Sequence, residues 1–142
     1  MQTGLLIIDF LISLNNEIMH KISNFLKFIK TNGKPLSQIN PGSDEIALTV
    51  NDALQALEIL KESQTIILGG DILSEENNNL IYAYQLWGEE YQYLNWYCDR
   101  ADNEDEEVYL KRSFDLAKEG IANANKVAGE LKKKCFIVFV VE

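Results

Sequence analysis

The stretch that decides the fold is Thr65 to Asn79, "TIILGGDILSEENNN". An apolar run of β-branched and leucine residues reads as a strand, Gly69, Gly70 and Asp71 interrupt it, and "SEENNN" supplies turn residues. Glycine inside a strand marks a bulge or a close approach of another backbone, because it has no Cβ to collide. Asp71 is placed to accept hydrogen bonds from nearby backbone N–H groups and so fix that irregularity. Downstream, Leu80 to Cys98 is rich in Ile, Leu, Tyr and Trp, so an antiparallel hairpin over residues 65–98 is the simplest connection. Trp87, Gly88, Glu89 and Glu90 leave open whether this second arm is one strand or two.

Around that hairpin the chain alternates in character. Between Asn15 and Lys30 the positions Ile18, Met19, Ile22, Phe25, Leu26 and Ile29 repeat at helical spacing, and Gly33 and Pro35 stop the pattern. Residues 31–45 have loop composition and hold both prolines. Helix is again predicted over 50–62, with Thr49 as N-cap, Asp52 three residues on, and Leu54, Leu57 and Leu60 marking one face. A long amphipathic helix follows over 104–131, on the stripe Leu110, Phe114, Ala117, Ile121, Ala124, Ala128 and Leu131. "CFIVFVV", residues 135–141, is apolar without alternation and reads as an interior strand covered on both faces. The expected fold is therefore α+β: one domain of 142 residues, a small and mainly antiparallel sheet, and helices packed on it.

The N-terminal extension, residues 1–20, is apolar from Gly4 to Leu14. With Asp9 inside the run, no basic segment before it and about half the ~20 residues that a membrane span needs, it is expected to be core-facing structure in a cytoplasmic protein.

Charge is strongly localised. The net charge is −9, yet residues 71–107 carry eleven acids against Arg100 alone. Such a field repels nucleic acid and anionic membrane, and it attracts and accelerates a basic protein partner. The run "CDRADNEDEEVY" has no EF-hand register, so calcium coordination of that kind is excluded. Asp102 or Asn103 is expected to cap the long helix, with Glu104, Asp105, Glu106 and Glu107 in its first turn. Six acids exceed what capping requires, which leaves a docking surface for a basic protein, or a metal site, as further readings.

Catalytic signatures are missing. His20 is the single histidine, Cys98 and Cys135 are isolated thiols expected to act as buried hydrophobes, and there is no phosphate-binding glycine motif. The letters GGD open the diguanylate cyclase signature, but Ile72 and Leu73 stand where that motif has Glu and Phe. The rings of Tyr82, Tyr84, Trp87, Tyr91, Tyr93, Trp96 and Tyr97 are at least half core; the rest face solvent or a partner, with Leu94 and Trp96 on one side and Tyr93, Asn95 and Tyr97 on the other.

Three short pieces in order, Glu45, Ala47 and Leu48, then Gly69, Gly70 and Asp71, then Asn95, Trp96, Tyr97 and Asp99, resemble the immunity proteins of bacterial polymorphic toxin systems grouped as the immunity protein 40 family. The resemblance spans roughly residues 24–125. It implies a cytoplasmic, non-enzymatic antitoxin that binds and neutralises a cognate polymorphic or contact-dependent toxin domain, with no cofactor and no metal. On this reading the motif residues Gly69, Gly70, Asp71, Asn95, Trp96 and Tyr97 shape the scaffold. The candidate toxin-binding residues are Asp99, Asp102, Glu104, Asp105, Glu106 and Glu107, with Glu89 and Glu90 at the tip of the aromatic stretch. The toxin is expected to be basic, and the apolar N-terminal segment admits a homodimer. The competing reading is a small ligand-binding domain or enzyme with a pocket near Asp71 and Trp96.

Overall fold

The computed structural model describes residues 2–142, with the side chains of 2–5, 18, 21 and 22 outside the description. The elements run α1 (Gln2–Asn32), β1 (Lys34–Pro35), a 3-10 turn (Leu36–Gln38), β2 (Ile46–Thr49), α2 (Val50–Glu62), β3 (Ile67–Glu76) and β4 (Asn79–Tyr82). They continue with α3 (Ala83–Trp87), a 3-10 segment (Glu89–Leu94), β5 (Trp96–Tyr97), α4 (Glu106–Leu131) and β6 (Phe136–Val141). The architecture is α+β, with an open six-stranded antiparallel sheet in the order β1-β2-β6-β3-β4, and with β5 also paired to β3.

Residues 136–141 of the expected stretch 135–141 form an interior strand. β6 lies between β2 and β3, with Ile137 and Phe139 facing a core shared with α1, α2 and α4. Phe136 and Val138 face a second, smaller core closed by Leu36 and Leu80. Over residues 136–139 both sides of β6 are therefore out of water, which is why that part of its sequence has no polar alternation, while Val140 is exposed.

α2 begins where the cap predicts: Thr49 Oγ1 accepts a hydrogen bond from the Asp52 amide at 3.3 Å. It buries Ala53, Ala56, Leu57 and Leu60, while Leu54 is exposed. Small buried residues on α4, Ala117, Gly120, Ala124 and Ala128, let that helix lie close to the sheet and to α2. The β3–β4 turn is Asn77–Asn78, both at positive φ (52° and 66°), the backbone of a two-residue type I′ hairpin.

One open question is answered and one expectation is corrected. The stretch 80–98 is not a continuous hairpin arm: after four residues of β4 the chain leaves the sheet as α3 and a 3-10 segment, and returns only at Trp96 and Tyr97. β4 pairs with Leu73–Glu76 and β5 with Gly69–Gly70, so the two are one edge strand interrupted by an excursion over 83–95. The helix expected over 15–30 begins at Gln2, and its apolar N-terminal part is not core-facing. Leu6, Ile7, Ile8, Phe10, Leu11, Ile12 and Leu14 are all exposed, and among the described side chains α1 buries only Phe25 and Ile29, against α2 and β2. Among the described residues no helix is long and apolar enough to cross a membrane.

Candidate functional site

Of the motif residues, Gly69, Gly70 and Trp96 form one joint between β3, β5 and α4. Trp96 pairs with Gly70 across the ladder, and its indole fills the space above that glycine. A Cβ at Gly70 would fall well inside contact distance of Cη2, Cζ2 and Cζ3 of the ring, and one at Gly120 would lie 2.5 Å from Cε3. Two glycines, one on a strand and one on a helix, thus make the slot that receives Trp96, and Phe139 meets the ring edge-on at a centroid distance of 6.4 Å. Trp96 Nε1 is buried without an acceptor among the described residues, so packing alone holds the ring. Gly69 serves the neighbouring close approach: a Cβ there would collide with the carbonyl oxygen of Trp96. A register shift between Ile67 and Gly69 supplies the irregularity that the glycines suggested.

Asn95, not Asp71, bonds to the strand backbone. Its Oδ1 accepts from the Ile72 amide at 2.8 Å, where the excursion of residues 83–95 has removed the partner strand. Asp71 points to the opposite face from Trp96, since it shares the face of Leu73 while Gly70 shares that of Ile72. Asp71 and Trp96 therefore cannot line one pocket. Burial raises the Asp71 pKa, and among the described residues its carboxylate makes no hydrogen bond. The Glu45 pKa is raised by burial and then by Asp71, with the Ser43 hydroxyl opposing. Tyr82 is raised by burial and by the same two carboxylates.

The acidic run is folded around one aromatic ring. Tyr109, on the first turns of α4, is 3% exposed and its hydroxyl donates to the Cys98 carbonyl at 2.6 Å. The guanidiniums of Arg100 and Arg112 lie 4.9 and 5.5 Å from its ring centroid. Each arginine then binds an acid. Arg112 donates to both Glu104 oxygens at 2.8 Å and to the Asp99 carbonyl at 2.5 Å, while Arg100 pairs with Glu106. The Arg112 hydrogen bonds, with a further one from the Ala101 amide, hold the Glu104 carboxyl down at about 2.

This sorts the predicted residues. Glu104 has a side chain only 7% exposed and is committed to Arg112; Glu106 is committed to Arg100. Asp99, Asp102, Asp105 and Glu107 are exposed, and among the described residues none of their carboxylates makes an ion pair. Glu89 and Glu90 open the separate 3-10 segment and are also exposed. Capping is not what was expected: Asp105, rather than Asp102 or Asn103, is the N-cap, it makes no side-chain cap bond, and only Glu106 and Glu107 lie in the first turn.

Among the described residues no three His, Cys, Asp or Glu are grouped as metal ligands. Burial raises both thiols, Cys135 to about 11 and Cys98 upward, so they remain protonated and weakly nucleophilic. Tyr93 and Tyr97 are exposed while Leu94 is buried and Trp96 half-buried, as the expected sidedness had it, although Tyr93 and Leu94 sit in a 3-10 segment rather than a strand.

The family model of immunity protein 40 matches residues 35–141. The chain belongs to the immunity protein 40 family. That match contains the whole sheet beyond Lys34, the Trp96 slot and the acidic run, and leaves α1 outside it. No curated protein and no solved structure matches this immunity protein. Membership makes it an immunity protein, and the matched residues include the Trp96 joint.

Proposed function

We propose that this immunity protein acts without catalysis, by binding a cognate toxin domain and occluding the surface that the toxin needs. The observation that carries the proposal is the set of exposed carboxylates Asp99, Asp102, Asp105 and Glu107 around the start of α4, none of which makes an ion pair among the described residues. A chain with a net charge of −9 that concentrates its acids there is suited to a basic toxin, which it meets quickly and orients on encounter. Glu104 and Glu106, satisfied by Arg112 and Arg100, shape this surface rather than contact the toxin; Glu89 and Glu90 extend the acidic character from the 3-10 segment. The partner is a protein, not nucleic acid or membrane, and the encounter takes place in the cytoplasm of the producing cell, where a contact-dependent or other polymorphic toxin would otherwise act. The exposed apolar part of α1 is compatible with a homodimer.

The test is co-expression with the C-terminal domain of the toxin encoded beside it. Growth rescue together with a 1:1 complex supports neutralisation by binding. Rescue without a physical complex refutes it.

A further inference from the structure

β2 and β6 pair only at Leu48–Ile137 and Thr49–Phe136. Where that ladder ends, a cleft of about 220 Å³ lies between Asp44–Leu48, the Phe139–Val141 end of β6 and the C-terminal half of α1. Its apolar lining runs from buried Phe25, Ile29 and Phe139 to the more accessible Leu26, Ile46 and Val140. The charged residues of the lining, Asp44 and Glu45, are both acids, and neither makes an ion pair among the described residues. The base nearest in register, Lys34 opposite Ala47, is bound to Glu75 at 2.5 Å. Among the described residues no lysine or arginine acts on the half-buried Glu45 carboxyl; the charge that reaches it is that of Asp71, of the same sign. The end of β6 also joins this cleft to the acidic run: next to Val140 and Val141, the Glu142 amide donates to the Ile66 carbonyl at 3.1 Å, and Ile66 packs with Cys98 and Tyr109.

We infer that this cleft receives one arginine or lysine side chain of the toxin domain, with its aliphatic stem against Leu26, Ile46 and Val140 and its cation on Asp44 and Glu45. The inference rests on the proposed neutralisation by binding and names a specific contact within it. Volume points to a side chain, because the cleft is smaller than the ~300–1,000 Å³ of small-molecule sites. Charge selects which side chain. Two carboxylates with no base among the lining residues attract a cation and repel an acid, and a wholly apolar group would bury Glu45 further with nothing to pair it. Arginine and lysine join a long apolar stem to a positive charge, which matches apolar walls beside carboxylates. In the free protein Glu45 and Asp71 repel one another from half-buried positions without a counter-ion, a cost that a partner's cation at Glu45 offsets on binding.

Binding kinetics of the full chain against the toxin domain encoded beside it, with the urea midpoint of each variant measured alongside, decide the matter. Asp44→Asn/Glu45→Gln is expected to raise the off-rate at least about tenfold while leaving the urea midpoint unchanged or higher, because a repelling charge is removed. In a mutant cycle, Glu45→Gln is expected to couple by at least about fivefold in Kd to alanine substitution of one toxin arginine or lysine. Should the double variant lose stability, the exposed Asp44→Lys takes its place with the same expected effect on the off-rate. Wild-type protein that binds tightly while the folded variants keep their rates within about twofold, or coupling to no basic toxin residue, overturns the cleft assignment and leaves neutralisation by binding intact. Self-association of the wild type that Glu45→Gln abolishes, with toxin binding unchanged, gives the cleft to a second copy and overturns the assignment as well. Wild-type protein that does not bind the toxin domain overturns the parent reading and the assignment with it.

Discussion

Gly70→Ala tests the Trp96 slot most severely. The glycine has no positive φ, so alanine is conformationally acceptable there and would even gain about 0.4–1 kcal/mol from a stiffer unfolded chain. Against that, the new methyl would enter the benzo ring of Trp96, which cannot retreat: Gly120 of α4 lies against its other carbons and Phe139 stands at its edge. Overpacking of this kind costs about 1–3 kcal/mol, and the expected net effect is destabilisation at the upper end of that range. Trp96→Phe removes the ring atoms that the methyl meets, and no hydrogen bond is lost because Nε1 has no acceptor among the described residues. Gly70→Ala should therefore be cheaper in the Trp96→Phe background, with a coupling energy of about 0.5–3 kcal/mol from a double-mutant cycle. Urea unfolding followed by far-UV circular dichroism gives the four stabilities without relying on tryptophan fluorescence. Equal costs of Gly70→Ala in both backgrounds, within about 0.3 kcal/mol, would refute the slot.

Three further outcomes follow from the same geometry. Asn95→Ala strands the Ile72 amide and should cost about 1–3 kcal/mol with faster hydrogen exchange at Ile72, whereas Asn95→Asp, which keeps an acceptor, should cost less; equal losses would remove Asn95 from the ladder. Glu104 has its folded pKa depressed to about 2 from 4.5, so its contribution is full above pH 4.5 and disappears as pH falls toward 2; the urea midpoint of Glu104→Gln should show a shallower acid limb than wild type, and parallel limbs would contradict the pairing with Arg112. Asp71 has its pKa raised by burial, so its ionised form opposes folding at neutral pH; Asp71→Asn should raise the urea midpoint at pH 7, and the gain should vanish below the ordinary carboxylate range, where wild type is protonated in both states.

The parts of the fold that show in the sequence are those where local chemistry and burial agree. Thr49 with Asp52 fixes the start of α2, the unbroken run of residues 136–139 marks a strand buried on both faces, and asparagines at positions 77 and 78 suit a turn with two positive φ values. The aromatic stretch misled because Tyr and Trp serve a strand, a short helix and a 3-10 turn equally well. The Ile72 amide, left without a strand partner where β4 ends, is satisfied instead by the Asn95 side chain, 23 residues away in sequence. The apolar N-terminus misled for the opposite reason: its composition demands burial, and α1 extends beyond the body that could provide it.

The candidate surface was legible as a charge run but not as a site. Six acids between Asp99 and Glu107 appear equivalent when read along the chain. Their division into committed and free depends on Arg112, which reaches Glu104 only because the run folds back over Tyr109 at the start of α4. Charge reversal across the whole run would therefore confound folding with binding. Glu104→Lys is expected to act on stability, and Glu107→Lys on association.

The most direct measurement is the association rate constant with the cognate toxin domain as a function of salt, for wild type and for Asp102→Asn/Asp105→Asn/Glu107→Gln, which leaves the Arg100 and Arg112 pairs intact. The account predicts a wild-type rate that is fast at low ionic strength and falls steeply with added salt toward that of the triple variant, whose own salt dependence is shallow. Identical rates for the two proteins at low salt would contradict docking through the acidic surface.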